Sequence, residues 1–244
     1  MNLLDSVRGI LLDIEGTTTP IAFVHDVLFP YARDHVREFL RANANDEEVG
    51  ADIALLRDSY AVDVRESRNP PPIESSVAMY VEWLIGLDRK STGLKSLQGK
   101  IWKQGYEQGS LKSQVFADVA PALARLHARG LTINIFSSGS VLAQKLLFAH
   151  TEAGDLTRFI DNYFDTNIGK KGEAESYRRI AEALKLPAEQ VLFISDVVEE
   201  LDAAHEARMK TLLSVRPGNT AQDNVKSYPE IQSFDQIDRI GNLS

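Results

Sequence analysis

Four short stretches carry residues able to act on a phosphate ester. The first, residues 11–20, reads Leu-Leu-Asp-Ile-Glu-Gly-Thr-Thr-Thr-Pro. Residues 8–12 form a short apolar run bounded by a turn, the pattern of a buried strand. Successive strand side chains alternate faces, so Asp13 and Glu15 point to one side and Ile14 to the other. Two acids at the carboxyl end of a strand repel each other unless a cation lies between them. That pairing suits a metal site with one carboxylate free to act as nucleophile. Gly16 lets the backbone turn sharply, and Thr17, Thr18 and Thr19 add hydroxyl and N–H donors.

The second stretch, Ser137-Ser138-Gly139-Ser140, lies between a strand pattern and a helix pattern, where hydroxyls and free N–H groups can hold an anion. The third, Gly169-Lys170-Lys171-Gly172, sets two cations just before a helix. The helix dipole already presents positive charge there, a conflict that a bound anion would remove. The fourth is the apolar run Val191-Leu192-Phe193-Ile194-Ser195 ending in Asp196, with Glu199 and Glu200 on the next turn. Asp196 would complete a three-carboxylate nest with Asp13 and Glu15 for a hard divalent ion, and an all-oxygen set fits magnesium. Each stretch has an ordinary alternative, since Ser and Asp are common helix N-caps and Glu15 or a lysine can simply face water. Their occurrence together, in this order, favours phosphoryl transfer to Asp13.

The elements that must position these residues follow from periodicity. From residue 116 onward strands alternate with helices: strands at 131–136, 191–194 and 211–215, helices at 118–129, 141–149, 173–184 and 198–208. That alternation implies a parallel sheet covered on both faces, to which the strand at 8–13 belongs. Between them, residues 27–40, 46–60, 76–88 and 91–108 have helical spacing, and 65–75, with three consecutive prolines, is a loop. The expected fold class is therefore α/β, a parallel-sheet Rossmann-like core (residues 1–20 and 114–244) interrupted by an inserted all-helical cap domain (21–113). Ligands bind such sheets at the carboxyl ends of the strands, where Asp13, Glu15, Ser137, Ser138 and Asp196 fall.

Composition narrows the function classes. The 244 residues include 27 Lys+Arg against 35 Asp+Glu, a net charge of −8 that argues against nucleic acid or anionic membrane as a partner. With no cysteine, disulfides, thiolate catalysis and Cys-based zinc sites are excluded. None of the five histidines forms an H-E-x-x-H pair. The N-terminus has acids within its short apolar run, unlike a secretory signal, so an intracellular protein is expected.

The Asp-x-Glu-Gly-Thr string, the strand-end Ser, the downstream Lys and the final strand-end Asp resemble the four motifs of the haloacid dehalogenase-like phosphohydrolases. Glu15 stands where most members have Asp, a departure typical of the enolase-phosphatases (acireductone synthases) of methionine salvage. The similarity extends through residues 12–31 (LDIEGTTTPIAFVHDVLFPY), 87–99 (LDRKSTGLKSLQG), 137–148 (SSGSVLAQKLLF), 163–169 (YFDTNIG) and 215–219 (VRPGN). It implies one magnesium ion per subunit held by Asp13, Glu15 and Asp196, with Asp13 and Glu15 catalytic. It also implies substrate binding by Ser137, Ser138 and Lys171. The activity implied is enolisation and then dephosphorylation of a small-molecule phosphate ester, 2,3-diketo-5-methylthiopentyl-1-phosphate, by a cytoplasmic monomer. A halide-removing hydrolase of the same fold would need no magnesium, and the acidic cluster speaks against it.

Overall fold

The computed structural model describes residues 3–220 and 228–241. The chain divides into two compact units, Met1–Phe23 with Lys112–Ser244, and Val24–Leu111.

The first unit is built on a six-stranded, wholly parallel sheet in the order β3-β2-β1-β4-β5-β6. Its strands are β1 (Gly9–Leu12), β2 (Thr132–Phe136), β3 (Asn162–Phe164), β4 (Val191–Ser195), β5 (Lys210–Ser214) and β6 (Glu230–Ile231). β1 and β4 are apolar along almost their whole length because both faces are covered, as expected of central strands in a parallel sheet. On one face Leu11, Phe136 and Phe193 pack with Tyr177, Ile180 and Leu201, residues of α8 (Ala174–Leu184) and α9 (Val198–Glu206). Ile10, Leu12, Ile133 and Ile135 point the other way and are equally buried. The unit also holds α1 (Ile21–Phe23), α6 (Val119–Ala128) and α7 (Val141–Ala149).

The expected long strands are all present, shifted by a residue or two. β3 and β6 were not among the expected strands. With three and two residues respectively, they are too short to show a period. The order places the change of direction between β1 and β4, the position where ligands bind in open sheets.

The second unit is helical, with α2 (Phe29–Ala42), α3 (Glu47–Arg65), α4 (Val77–Gly86) and α5 (Thr92–Glu107) in a stretch between β1 and β2. A π-helical turn, Val24–Leu28, leads into α2. α3 runs five residues beyond the expected end because Asp63 is a core residue there, a role periodicity does not assign to an acid. Its carboxylate accepts hydrogen bonds from Arg68, Arg89 and the Tyr80 hydroxyl. No helix among the described residues is long and apolar enough to cross a membrane.

Candidate active site

Strand register brings the acids of two distant stretches to adjacent strand ends. Leu12 pairs with Ile194, and the next backbone N–H, that of Asp13, donates to the Ile194 carbonyl at 3.0 Å. Asp13 therefore leaves the end of β1 beside Ser195 and Asp196, which leave the end of β4. The chain then reverses at Gly16, whose φ of +69° is one that residues with a Cβ rarely adopt. A Cβ at Gly16 would lie 2.6 Å from the Asp196 Cγ, so glycine also makes room for that carboxylate. The Ile14 carbonyl accepts from the N–H groups of Thr17, Thr18 and Thr19 and closes the turn. Asp13 and Asp196 are buried, whereas Glu15 is half-buried and forms a bridge with Thr19.

Lys171 reaches this point from the loop before α8. Its Nζ lies 2.5 Å from Asp13 Oδ1 and 2.6 Å from Glu200 Oε2, with only 10% of the side chain exposed. Two α8 side chains hold the loop: Ser176 Oγ donates to the Lys170 carbonyl at 2.7 Å and the Tyr177 hydroxyl to the Lys171 carbonyl at 2.8 Å. The conflict expected between Lys171 and the helix dipole is thus relieved by Asp13 and Glu200. Lys170 is exposed and pairs with Glu173.

Ser137 is buried at the end of β2, and its Oγ accepts from the Gly139 N–H at 3.2 Å. The helix cap falls to Ser140, whose Oγ accepts from the Ala143 N–H. Ser137 and Ser138 are therefore not needed as caps for α7. Gln144 pins the same loop by donating to the Gly139 and Phe164 carbonyls, a role nothing in the sequence marked.

Glu200 is the site residue not assigned a role from the sequence. It lies one helical turn beyond Asp196, and Ser195 Oγ donates to its Oε2 at 2.8 Å. The i+4 spacing from Asp196 is the signal that could have found it.

The charge at this point does not balance. Burial pushes the Asp196 carboxyl up to about 7, reinforced by the nearby negative charges of Asp13 and Glu200. Glu200 is likewise raised, first by burial and then by Asp13. Burial alone would lower Lys171, but Asp13 and Glu200 outweigh it and raise its pKa. Three acids share one ammonium, a deficit of positive charge that a divalent cation would correct, and the donors offered are oxygens, as magnesium prefers. Among the described residues no three His, Cys, Asp or Glu side chains stand ready to hold a metal ion. The expected nest of three carboxylates from Asp13, Glu15 and Asp196 is therefore not preformed. Asp13 and Asp196 would need a backbone carbonyl, water or the phosphate itself to complete the set.

A strand-end aspartate paired with a lysine beside a second strand-end aspartate, on a parallel sheet interrupted by helices, defines a class. The chain belongs to the haloacid dehalogenase-like hydrolases, whose family model matches residues 7–208. Within that class it falls among the enolase-phosphatases. It is 53% identical over 239 residues to enolase-phosphatase E1 of Synechococcus elongatus, a match covering 97% of this chain and 100% of that one. The solved structure of the UTR4 protein from Saccharomyces cerevisiae is 35% identical with a TM-score of 0.75, covering 94% of this chain and 99% of that one. The same fold, at 14% identity and a TM-score of 0.55, occurs in the HAD-hydrolase YfnB of Bacillus subtilis, solved bound to magnesium; there 95% of this chain and 96% of that one are covered.

Proposed function

We propose that this chain is a magnesium-dependent enolase-phosphatase acting on 2,3-diketo-5-methylthiopentyl-1-phosphate in methionine salvage. The products are phosphate and the acireductone 1,2-dihydroxy-3-keto-5-methylthiopentene. The observation that carries this reading is the convergence of Asp13, Lys171 and Asp196 at neighbouring strand ends, in a chain closely similar to proteins named for that activity.

The roles follow from the chemistry each group can supply. Asp13 is the nucleophile: its carboxylate oxygen bonds to phosphorus as the phosphorus–oxygen ester bond breaks. The departing oxygen keeps the electron pair and takes up a proton. Water then attacks phosphorus, releasing phosphate and restoring the carboxylate. Lys171 orients Asp13 and offers positive charge to the phosphoryl oxygens. Ser137, Ser138 and the N–H groups beside them hold the phosphoryl group. Asp13 and Asp196 would hold magnesium with Glu15, through either its side chain or its backbone carbonyl. The ion supplies neutralising charge for the phosphoryl group and Lewis acidity for the substrate carbonyl.

Enolisation moves a proton from the carbon beside a ketone to the carbonyl oxygen. Glu15, longer than Asp by one methylene, is assigned the proton transfer, a role worth ~10²–10⁴ in rate. Anchoring the phosphate first holds the reacting carbon in place, so enolisation precedes dephosphorylation. The helical insertion, residues 21–113, is assigned the part of a cap beside a catalytic core of residues 1–20 and 114–244, excluding water during turnover. A monomeric, cytoplasmic state belongs to the same proposal.

The test is turnover of the diketone phosphate by the wild-type protein and Asp13→Ala, with magnesium or chelator, followed by enol absorbance and by released phosphate. The expected result is an enol signal ahead of phosphate in the wild type with magnesium, and no phosphate from Asp13→Ala or in chelator. Phosphate release without an enol signal, or undiminished in chelator, would overturn it.

A further inference from the structure

The segment after β5, Val215-Arg216-Pro217-Gly218-Asn219, has no part in the chemistry above, yet its side chains reach the turn that carries Glu15. Asn219 Nδ2 donates to the Gly16 carbonyl at 3.0 Å and to the Ser214 carbonyl at 3.1 Å. Ser214 Oγ donates to the same Gly16 carbonyl at 3.1 Å, and Arg216 Nε donates to the Thr17 carbonyl at 3.2 Å. The Gly16 N–H is already taken by the Thr19 carbonyl at 2.8 Å. The peptide groups on both sides of Gly16 are therefore tied, one within the turn and the other to the end of β5.

Arg216 is placed for direction rather than for charge alone. Its side chain is 2% exposed and its guanidinium stacks between the rings of Phe116 and Phe234, 4.6 and 4.8 Å away. Nη1 binds Asp118 Oδ2 at 2.9 Å and the Gln232 carbonyl at 2.9 Å. A buried ion pair gives little stability beyond what a well-packed apolar residue could give. What only the planar fork supplies is several donors at fixed angles, one of them aimed at Thr17. Asn219 also flanks the side of the turn that faces the Asp196 carboxyl. A Cβ on Gly16 would meet both the Asp196 carboxyl and Asn219 Oδ1, the latter at 2.9 Å, so the two side chains crowd the same side of Gly16. That Oδ1 is buried and accepts no hydrogen bond from the protein.

We propose that Ser214, Arg216 and Asn219 are positioning residues for the reaction: by holding the Gly16 and Thr17 carbonyls they fix the Asp13–Thr19 turn. The direction in which Asp13 and Glu15 face the cation and the phosphoryl group then depends on them. This inference rests on the reading of Asp13 as nucleophile and magnesium ligand. Misplacing reacting groups by about 1 Å can cost on the order of 10²-fold in rate, and loss of a group that orients a metal ligand costs roughly 10–100-fold in metal affinity or activity.

The experiment compares full-length wild type with Asn219→Ala, Asn219→Asp, Ser214→Ala, Ser214→Thr and Arg216→Lys. Three quantities are read: kcat and KM for phosphate release, magnesium binding by calorimetry without substrate, and the thermal midpoint. Asn219→Ala and Asn219→Asp should lose about 10–100-fold in kcat, with KM little changed, weaker magnesium binding and a nearly native midpoint. Ser214→Thr should keep the rate that Ser214→Ala loses. If Arg216→Lys does not fold, the Asn219 and Ser214 pairs decide the matter. Wild-type kcat and magnesium binding in Asn219→Ala would overturn the proposal, as would rate losses that only track loss of folded protein. A wild type that neither releases phosphate nor binds magnesium would instead overturn the underlying reading of Asp13.

Discussion

Asp13 and Asp63 are both buried aspartates held by cations, one in each unit, and their surroundings differ in the sign of what is left over. Around Asp63 one carboxylate meets Arg68 at 2.6 Å, Arg89 at 3.0 Å and the Tyr80 hydroxyl at 2.7 Å. Around Asp13 a single ammonium serves two carboxylates, with Asp196 crowding the same turn. The first cluster is satisfied by its own chain and ties α3 to α4 and to the loops on either side of α4. The second leaves negative charge in excess, which a cation would offset. Burial tends to raise the Asp63 carboxyl, but the Tyr80, Arg68 and Arg89 contacts outweigh it and hold it below the usual range, whereas Asp196 is driven up to about 7. A saturated polar cluster specifies structure, and an unsaturated one marks where a ligand enters.

Substitutions can sharpen or break that contrast. The largest effect is expected at Lys171→Met, which should lower phosphate release by about 10²–10³, the usual loss for one preorganised electrostatic group. A Lys171→Met protein with native turnover would mean that the two clusters do not differ in kind. Next is Asp63→Asn, expected to lower stability by about 1–3 kcal/mol, because the two arginines lose their negative partner and the Tyr80 hydroxyl meets an NH2 donor in place of an acceptor. Both arginines are partly exposed, which keeps the figure at the modest end. Its turnover below the melting range should stay native, as a denaturant titration and an activity assay on one sample would show.

The same pair can be compared against pH. A carboxyl depressed in the folded state stabilises the fold fully above its unfolded value, about 3.9, and that contribution disappears as pH falls through the lower folded value. The stability gap between wild type and Asp63→Asn should therefore be constant near neutrality and close below about pH 4. A gap that persists unchanged into acid would remove the ionic account of this cluster. Smaller again is Tyr80→Phe, which deletes one hydrogen bond to Asp63 and should cost about 1 kcal/mol. Smallest is Lys170→Ala: its side chain is exposed, so stability should move by no more than about 0.5 kcal/mol and phosphate release should not change.

Legibility in the sequence followed the same division. Asp13, Lys171 and Asp196 stood out because each is a polar residue directly after an apolar run or at a helix start, where a parallel sheet collects ligands. Glu200 did not stand out, since an acid in the first turn of α9 reads equally well as a partner for the helix dipole. The saturated cluster was illegible for a different reason. Asp63 sits at a core position of α3 that hydrophobic periodicity gives to an apolar residue, and its partners lie 5, 17 and 26 residues away. The clamp on Gly16 was hidden too, because it joins side chains to carbonyls far off in the chain, such as Asn219 to Gly16 at a separation of 203 residues.

The most direct test is rapid acid quenching of the enzyme while it turns over substrate labelled in its phosphoryl group, with peptide mapping of the bound label. The account predicts label on the peptide containing Asp13 in the wild type and no labelled protein in Asp13→Asn. Label mapped to any other residue, or Asp13→Asn turning over at the wild-type rate, would contradict it.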